Sequence, residues 1–136
     1  MKWSRIAVAL VVALFAIQLI PVARTNPPAI STVPAPPEVA SILRRACLDC
    51  HSHETVWPLQ AYVAPLSWYV AHDVKEGREE FNLSAWGPTQ AERARKKLPK
   101  EVEEGEMPPS LYVLAHPGAK LTKEEKALLA NWARGL

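Results

Sequence analysis

The sequence predicts an all-α fold on three observations. Apolar residues recur at helical spacing in several segments, as with Val39, Ile42, Leu43 and Ala46 at i, i+3, i+4 and i+7. Two capping-box patterns, Thr89-Gln90-Ala91-Glu92 and Thr122-Lys123-Glu124-Glu125, stand at the head of such segments. No run alternates apolar and polar residues as a half-buried strand does. The chain has 136 residues and its start reads as a targeting segment, which leaves room for one domain of about a hundred residues.

Residues 1–23 carry Lys2 and Arg5 ahead of an apolar run from Ile6 to Ile20, broken only by Gln18. Such a segment keeps its N-terminus in the cytoplasm and sends the rest of the chain across the membrane, as a signal peptide or as a signal anchor. Pro21-Val22-Ala23 is a poor cleavage site, because small residues are wanted at both −3 and −1, so a retained anchor is expected. A helix from Ile6 to Ala23 rises about 27 Å against a hydrocarbon core of ~30 Å. Snorkelling by Lys2 and Arg24 closes that gap. The expected location is a bacterial inner membrane, with a single-pass N-terminal anchor and the domain in the periplasm or otherwise outside the cytoplasmic membrane.

Residues 24–37 contain Pro27, Pro28, Pro34, Pro36 and Pro37 and read as a linker. Extended as polyproline II, it reaches roughly 40 Å. The domain then occupies residues 38–136. Its first helix carries the Val39 pattern and leads straight into a cysteine motif, and Ser52 to Pro58 reads as a loop. Pro65 opens a second helix with Leu66, Tyr69, Val70 and Val74 on one side, ending near Gly77. A third comes after Thr89 and carries Ala91, Ala94, Leu98 and Val102, with Pro99 expected to bend or split it and Gly105 to end it. The last begins after Thr122, carries Leu128, Leu129 and Trp132, and stops at Gly135.

Sixteen Lys and Arg against 14 Asp and Glu give a formal charge of +2, too little for a nucleic-acid binder, and no nucleic-acid-reading motif is present. The cluster Arg93, Arg95, Lys96, Lys97 and Lys100 is answered by Glu101, Glu103, Glu104 and Glu106. It reads as a solvated helix face, and alternatively as a surface that steers an acidic redox partner.

The chemistry is concentrated in Cys47-Leu48-Asp49-Cys50-His51. Two thiols three residues apart lie on one face of a helical turn, where each can add across one vinyl group of a porphyrin. His51 then sits beneath the iron as an axial ligand. These residues point to one covalently attached haem c per chain, held by Cys47 and Cys50. A thioredoxin-like pair would need a βαβ setting, and a zinc site would need a second ligand pair; the sequence offers neither. Haem attachment would consume both cysteines and leave none for a disulfide.

Met107 is the expected second axial ligand. It is the only methionine besides Met1, and it stands in Gly105-Glu106-Met107-Pro108-Pro109, where the prolines suit a rigid loop presenting a thioether. The bland reading of Met107 is core packing. His116 is the alternative distal ligand and His72 a weaker one, whereas His53 stands too close to His51 to reach the opposite face. Trp57, Trp68, Trp86, Trp132, Tyr62, Tyr69 and Phe81 are candidates to wall the haem cavity. No residue is placed as an evident catalytic base, so the chain reads as an electron carrier and not as an enzyme.

The motif Cys47 to Ser52, Trp57-Pro58, Pro65-Leu66-Ser67-Trp68, Glu76-Gly77-Arg78-Glu79, Phe81 to Trp86, Gly105-Glu106-Met107-Pro108 and His116-Pro117 together resemble a family of small bacterial haem-binding domain proteins with one C-x-x-C-H motif. The likeness covers residues 38–136, and in outline the chain is also similar to class I cytochromes c. The resemblance implies a small cytochrome c-like helical domain wrapped around haem c, with electron transfer to and from redox partner proteins. It also strengthens His116, which lies inside a matching stretch. The rival functions are a haem peroxidase-like enzyme and a gas- or redox-sensing haem module.

Overall fold

The computed structural model describes residues 2–136, with the side chain of Lys2 left aside, and among these residues all regular structure is helical. Seven α-helices run in order: α1 Lys2–Gln18, α2 Pro37–Ala46, α3 Leu48–His51, α4 Leu66–Glu80, α5 Pro88–Glu104, α6 Ser110–Ala115 and α7 Lys123–Arg134. Two 3₁₀ turns, Leu59–Tyr62 and Pro117–Ala119, join them.

The core is made where α2, α5 and α7 meet. Val39, Ile42, Leu43 and Ala46 come from α2, Ala94, Leu98 and Val102 from α5, and Leu129, Ala130 and Ala133 from α7. The apolar spacing read on α2 is therefore its buried stripe. Arg45 reaches from the last turn of α2 to the carbonyls of Gly118 and Lys120 and pairs with the Glu125 carboxylate in the first turn of α7, so the two helices are tied at that end.

The caps sort the two box patterns. Thr122 forms the box: its backbone N–H donates to Glu125 Oε2 at 2.9 Å, and the Glu125 N–H donates to Thr122 Oγ1 at 3.2 Å. Thr89 caps nothing, because α5 begins one residue earlier with Pro88 in its first turn and Gly87 at the cap. Proline there loses no helical hydrogen bond and arrives with the right φ. Gly105 ends α5 in the left-handed conformation, at φ 84°. Pro99 does not split the helix. It is buried within α5 beside Leu98, and packing against α7 offsets one missing backbone bond.

Two further expectations change. The N-terminal helix ends at Gln18 and not at Ala23, since Pro21 disfavours a helical Ile20. Among the described residues no helix is long and apolar enough to cross a membrane; Met1, the first residue of the expected anchor, lies outside them. Residues 24–36 carry no regular structure, Pro37 already opens α2, and the segment is held against the domain. The Ile30 and Ser31 N–H groups donate to the Ser84 carbonyl at 2.8 and 3.2 Å, and Val33 and Ala35 pack on the core. Arg78 donates to the Thr25 carbonyl at 2.9 Å and to Asn26 Oδ1 at 3.0 Å.

Candidate functional site

The cysteine motif forms a single helical turn. Cys47 leaves helical geometry after α2, and its carbonyl accepts from the Cys50 and His51 N–H groups at 3.2 and 2.9 Å. Both cysteines are free thiols and half-buried. Burial pushes each thiol up to about 12, and the carboxylates of Asp73 and Asp49 add to the effect at Cys50. The pair is therefore protonated at neutral pH. This is the reverse of the electropositive surroundings that make a redox-active thiolate. Nor do any three of His, Cys, Asp and Glu among the described residues gather closely enough to hold a bare metal ion.

His51 is buried and stacks on Phe81, ring centroids 4.1 Å apart. Its Nδ1 lies 3.2 Å from the Phe81 carbonyl, and a carbonyl can only accept, so Nδ1 carries the proton and Nε2 keeps its lone pair. Burial also lowers the affinity of the ring for a second proton. A neutral imidazole with one nitrogen oriented and the other free is what metal ligation requires. The segment after α4 holds this arrangement: the Leu83 N–H donates to the His51 carbonyl at 2.7 Å, and Gln90 Oε1 accepts from the Asn82 N–H at 2.9 Å.

Cys47, Cys50, His51 and Met107 line one cavity of about 340 Å³. The protein thus brings the paired thiols, the imidazole and the thioether to a single space, with Leu98 and Val102 among its apolar walls. Its rim is acidic. Desolvation lifts the Asp73 carboxyl above its ordinary range, although a hydrogen bond from the Tyr69 hydroxyl pulls the other way. His116 is not among the lining residues; its ring stacks on Tyr112 at 4.3 Å and its Nδ1 faces the Tyr112 carbonyl at 3.2 Å. His72 is exposed on α4 beside Glu76, outside the cavity. His53 is also outside, Nδ1 toward the Pro28 carbonyl and Nε2 toward Asn82 Nδ2 at 2.8 Å.

Of the aromatic candidates only Tyr69 and Phe81 line the cavity. Trp86 and Trp132 stack on each other at 6.3 Å beside the core, Trp57 and Trp68 border a separate groove, and Tyr62 is exposed. An aromatic residue's type says it will seek burial and leaves open which apolar space it fills. Tyr112 is a wall residue that sequence reasoning missed. Its hydroxyl donates to Asp49 Oδ2 at 2.7 Å, while Asp49 Oδ1 accepts from the Val56 N–H at 2.9 Å. The middle residue of the motif thereby ties α6 to the loop beyond the motif. No local signal marks Tyr112, since its partner lies far away in the sequence.

Gly77 and Arg78 act from behind. A Cβ on Gly77 would lie 2.6 Å from the Cys50 carbonyl oxygen, so α4 reaches the cysteine turn only because this residue has no side chain. The sequence places Gly77 near the end of α4, but the helix runs on to Glu80. Arg78 Nε donates to the Ser52 carbonyl at 2.6 Å and Nη2 to Thr55 Oγ1 at 2.9 Å, fixing the backbone that leaves His51.

A half-buried thiol pair on one turn, an oriented imidazole and an apolar cavity between helices define a haem-binding protein. The chain matches the model of the haem-binding domain family over residues 12–135, and it belongs to that family. No curated protein and no solved structure matches it.

Proposed function

We propose that this chain is a monohaem c-type cytochrome that carries electrons one at a time outside the cytoplasmic membrane of a bacterium, with residues 1–23 as its membrane anchor. The observation that carries the reading is the convergence of Cys47, Cys50, His51 and Met107 on one cavity. Bound haem supplies an iron that changes between ferric and ferrous states. The residues present fit that group. Cys47 and Cys50 are neutral thiols able to form thioethers, His51 offers a free Nε2, and Met107 offers a soft, neutral sulfur. Phe81 and the apolar side chains of α5 exclude water from the site, and the Phe81 carbonyl keeps the His51 ring in one tautomer. Proteins that exchange electrons with it are its partners in this reading.

Covalent attachment is tested on denatured protein. The full chain, matured in a host that attaches haem c, keeps haem-dependent peroxidase staining after denaturing electrophoresis, and Cys47→Ala together with Cys50→Ala abolishes the stain. Free extraction of haem from the unmodified chain into acidified organic solvent refutes the c-type reading and leaves a non-covalent haem protein.

A further inference from the structure

Residues 55–71 form an uncharged stretch with no Asp, Glu, Lys, Arg or His, and they include Trp57, Tyr62, Trp68 and Tyr69. Part of it stands in solvent: Leu59 is 80% exposed, Tyr62 56%, Val63 50% and Leu66 53%. A surface this apolar on a small domain calls for a cover.

The N-terminal helix indicates which. Gln18, in the last turn of α1, donates from Nε2 to the Ala64 carbonyl at 3.2 Å and accepts from the Ala64 N–H at its Oε1 at 2.9 Å. The end of an apolar, exposed helix is thus pinned to the middle of the exposed apolar loop. These bonds also satisfy the one polar side chain in the run from Ile6 to Ile20. Arg24 donates to the Ala61 carbonyl at 3.1 Å and lies 4.6 Å over the Tyr62 ring, a cation beside an aromatic group at the same level. Aromatic rings and Arg at the end of an apolar helix are the composition of a membrane interface. α1 has 17 residues and rises about 26 Å, short of a ~30 Å hydrocarbon core.

We infer that the face formed by Leu59, Tyr62, Val63 and Leu66 rests in the interfacial layer of the lipid bilayer, so that the haem domain lies flush on the membrane and does not swing from a tether. This rests on the reading of residues 1–23 as a membrane anchor. It adds a second lipid contact that the anchor alone does not require.

The test uses full-length, haem-loaded protein in phosphatidylcholine vesicles whose acyl chains carry a photoactivatable diazirine, with peptide mapping after irradiation. Label is expected in α1 and in residues 59–66. With Leu59→Glu and Val63→Glu together, label in 59–66 falls roughly tenfold or more, because two carboxylates have to leave the apolar layer. Label in α1 and the haem absorbance stay unchanged. Label in α1 alone in the unmodified protein overturns the docked face, leaves the anchor standing and hands the apolar surface to a protein partner. Label in neither segment overturns both. Undiminished label in the double variant also overturns the proposal, and if that variant loses haem, the pattern in the unmodified protein decides.

Discussion

Replacing Gly77 by Ala sets two effects of known size against each other. Alanine in a helix interior is favoured over glycine by about 1 kcal/mol. At this position, however, the added Cβ meets the Cys50 carbonyl oxygen at 2.6 Å, its carbon at 3.0 Å and the Cys50 Cβ at 3.1 Å. Restoring the oxygen contact to an ordinary 3.4 Å moves α4 away from the Cys50 turn by about 0.8 Å, the difference between those two distances. The obstacle is backbone that is itself hydrogen-bonded within the turn, so it cannot give way as a flexible side chain would. Overpacking of this kind costs about 1–3 kcal/mol. Gly77→Ala is therefore expected to lower the stability of the haem-loaded protein by up to about 2 kcal/mol once the propensity gain is subtracted. Guanidinium unfolding monitored by far-ultraviolet circular dichroism measures it. Gly118→Ala is the control, since no atom lies within 4 Å of its Cβ position, and it is expected to be near neutral. A Gly77→Ala protein more stable than the parent refutes the close approach of α4 to Cys50.

The Arg45–Glu125 pair predicts a pH dependence. Arg45, and then the Thr122 backbone, hold the Glu125 carboxyl below its ordinary 4.5. A depressed folded-state value contributes stability that is present above 4.5 and is lost as the pH falls through the folded value. Arg45→Ala is expected to cost about 1 kcal/mol at neutral pH, discounted for partial exposure, with the difference from the parent shrinking in acid. An unchanged difference on acidification rules out the pair as its source. Removing one thiol at a time extends the attachment test: Cys47→Ala or Cys50→Ala alone keeps haem on the denatured chain through the remaining thioether, and loss of all stain from either single variant contradicts independent attachment by the two thiols.

The range of each interaction decides whether the sequence discloses it. The cap at Thr122, the stop at Gly105 and the buried stripe of α2 depend on neighbours within a turn or two, and the structure has each as read. The spacing of Cys47, Cys50 and His51 is equally local, and the structure sets it on one helical turn. Thr89 misleads because Pro88, one residue earlier, is the better first helical residue. The roles of Gly77, Arg78 and Tyr112 are hidden from local reading, as each serves Cys50, Ser52 or Asp49 across the fold. Residues 24–37 have the composition of a free linker. They are held by groups on distant residues, chiefly Ser84 and Arg78, that periodicity does not reveal.

The central claim is that one haem sits between His51 and Met107, and the absorption spectrum of the purified full chain tests it most directly. Low-spin iron is expected in both oxidation states, with a weak far-red thioether-to-ferric band in the oxidised form. Met107→Ala is expected to lose that band, lower the reduction potential and open the iron to carbon monoxide, since a thioether favours ferrous iron. His116→Ala is expected to leave the band in place, because His116 lies outside the cavity against Tyr112. The opposite pattern, with Met107→Ala silent and His116→Ala opening the iron, contradicts the account and makes this a bis-histidine haem of lower potential.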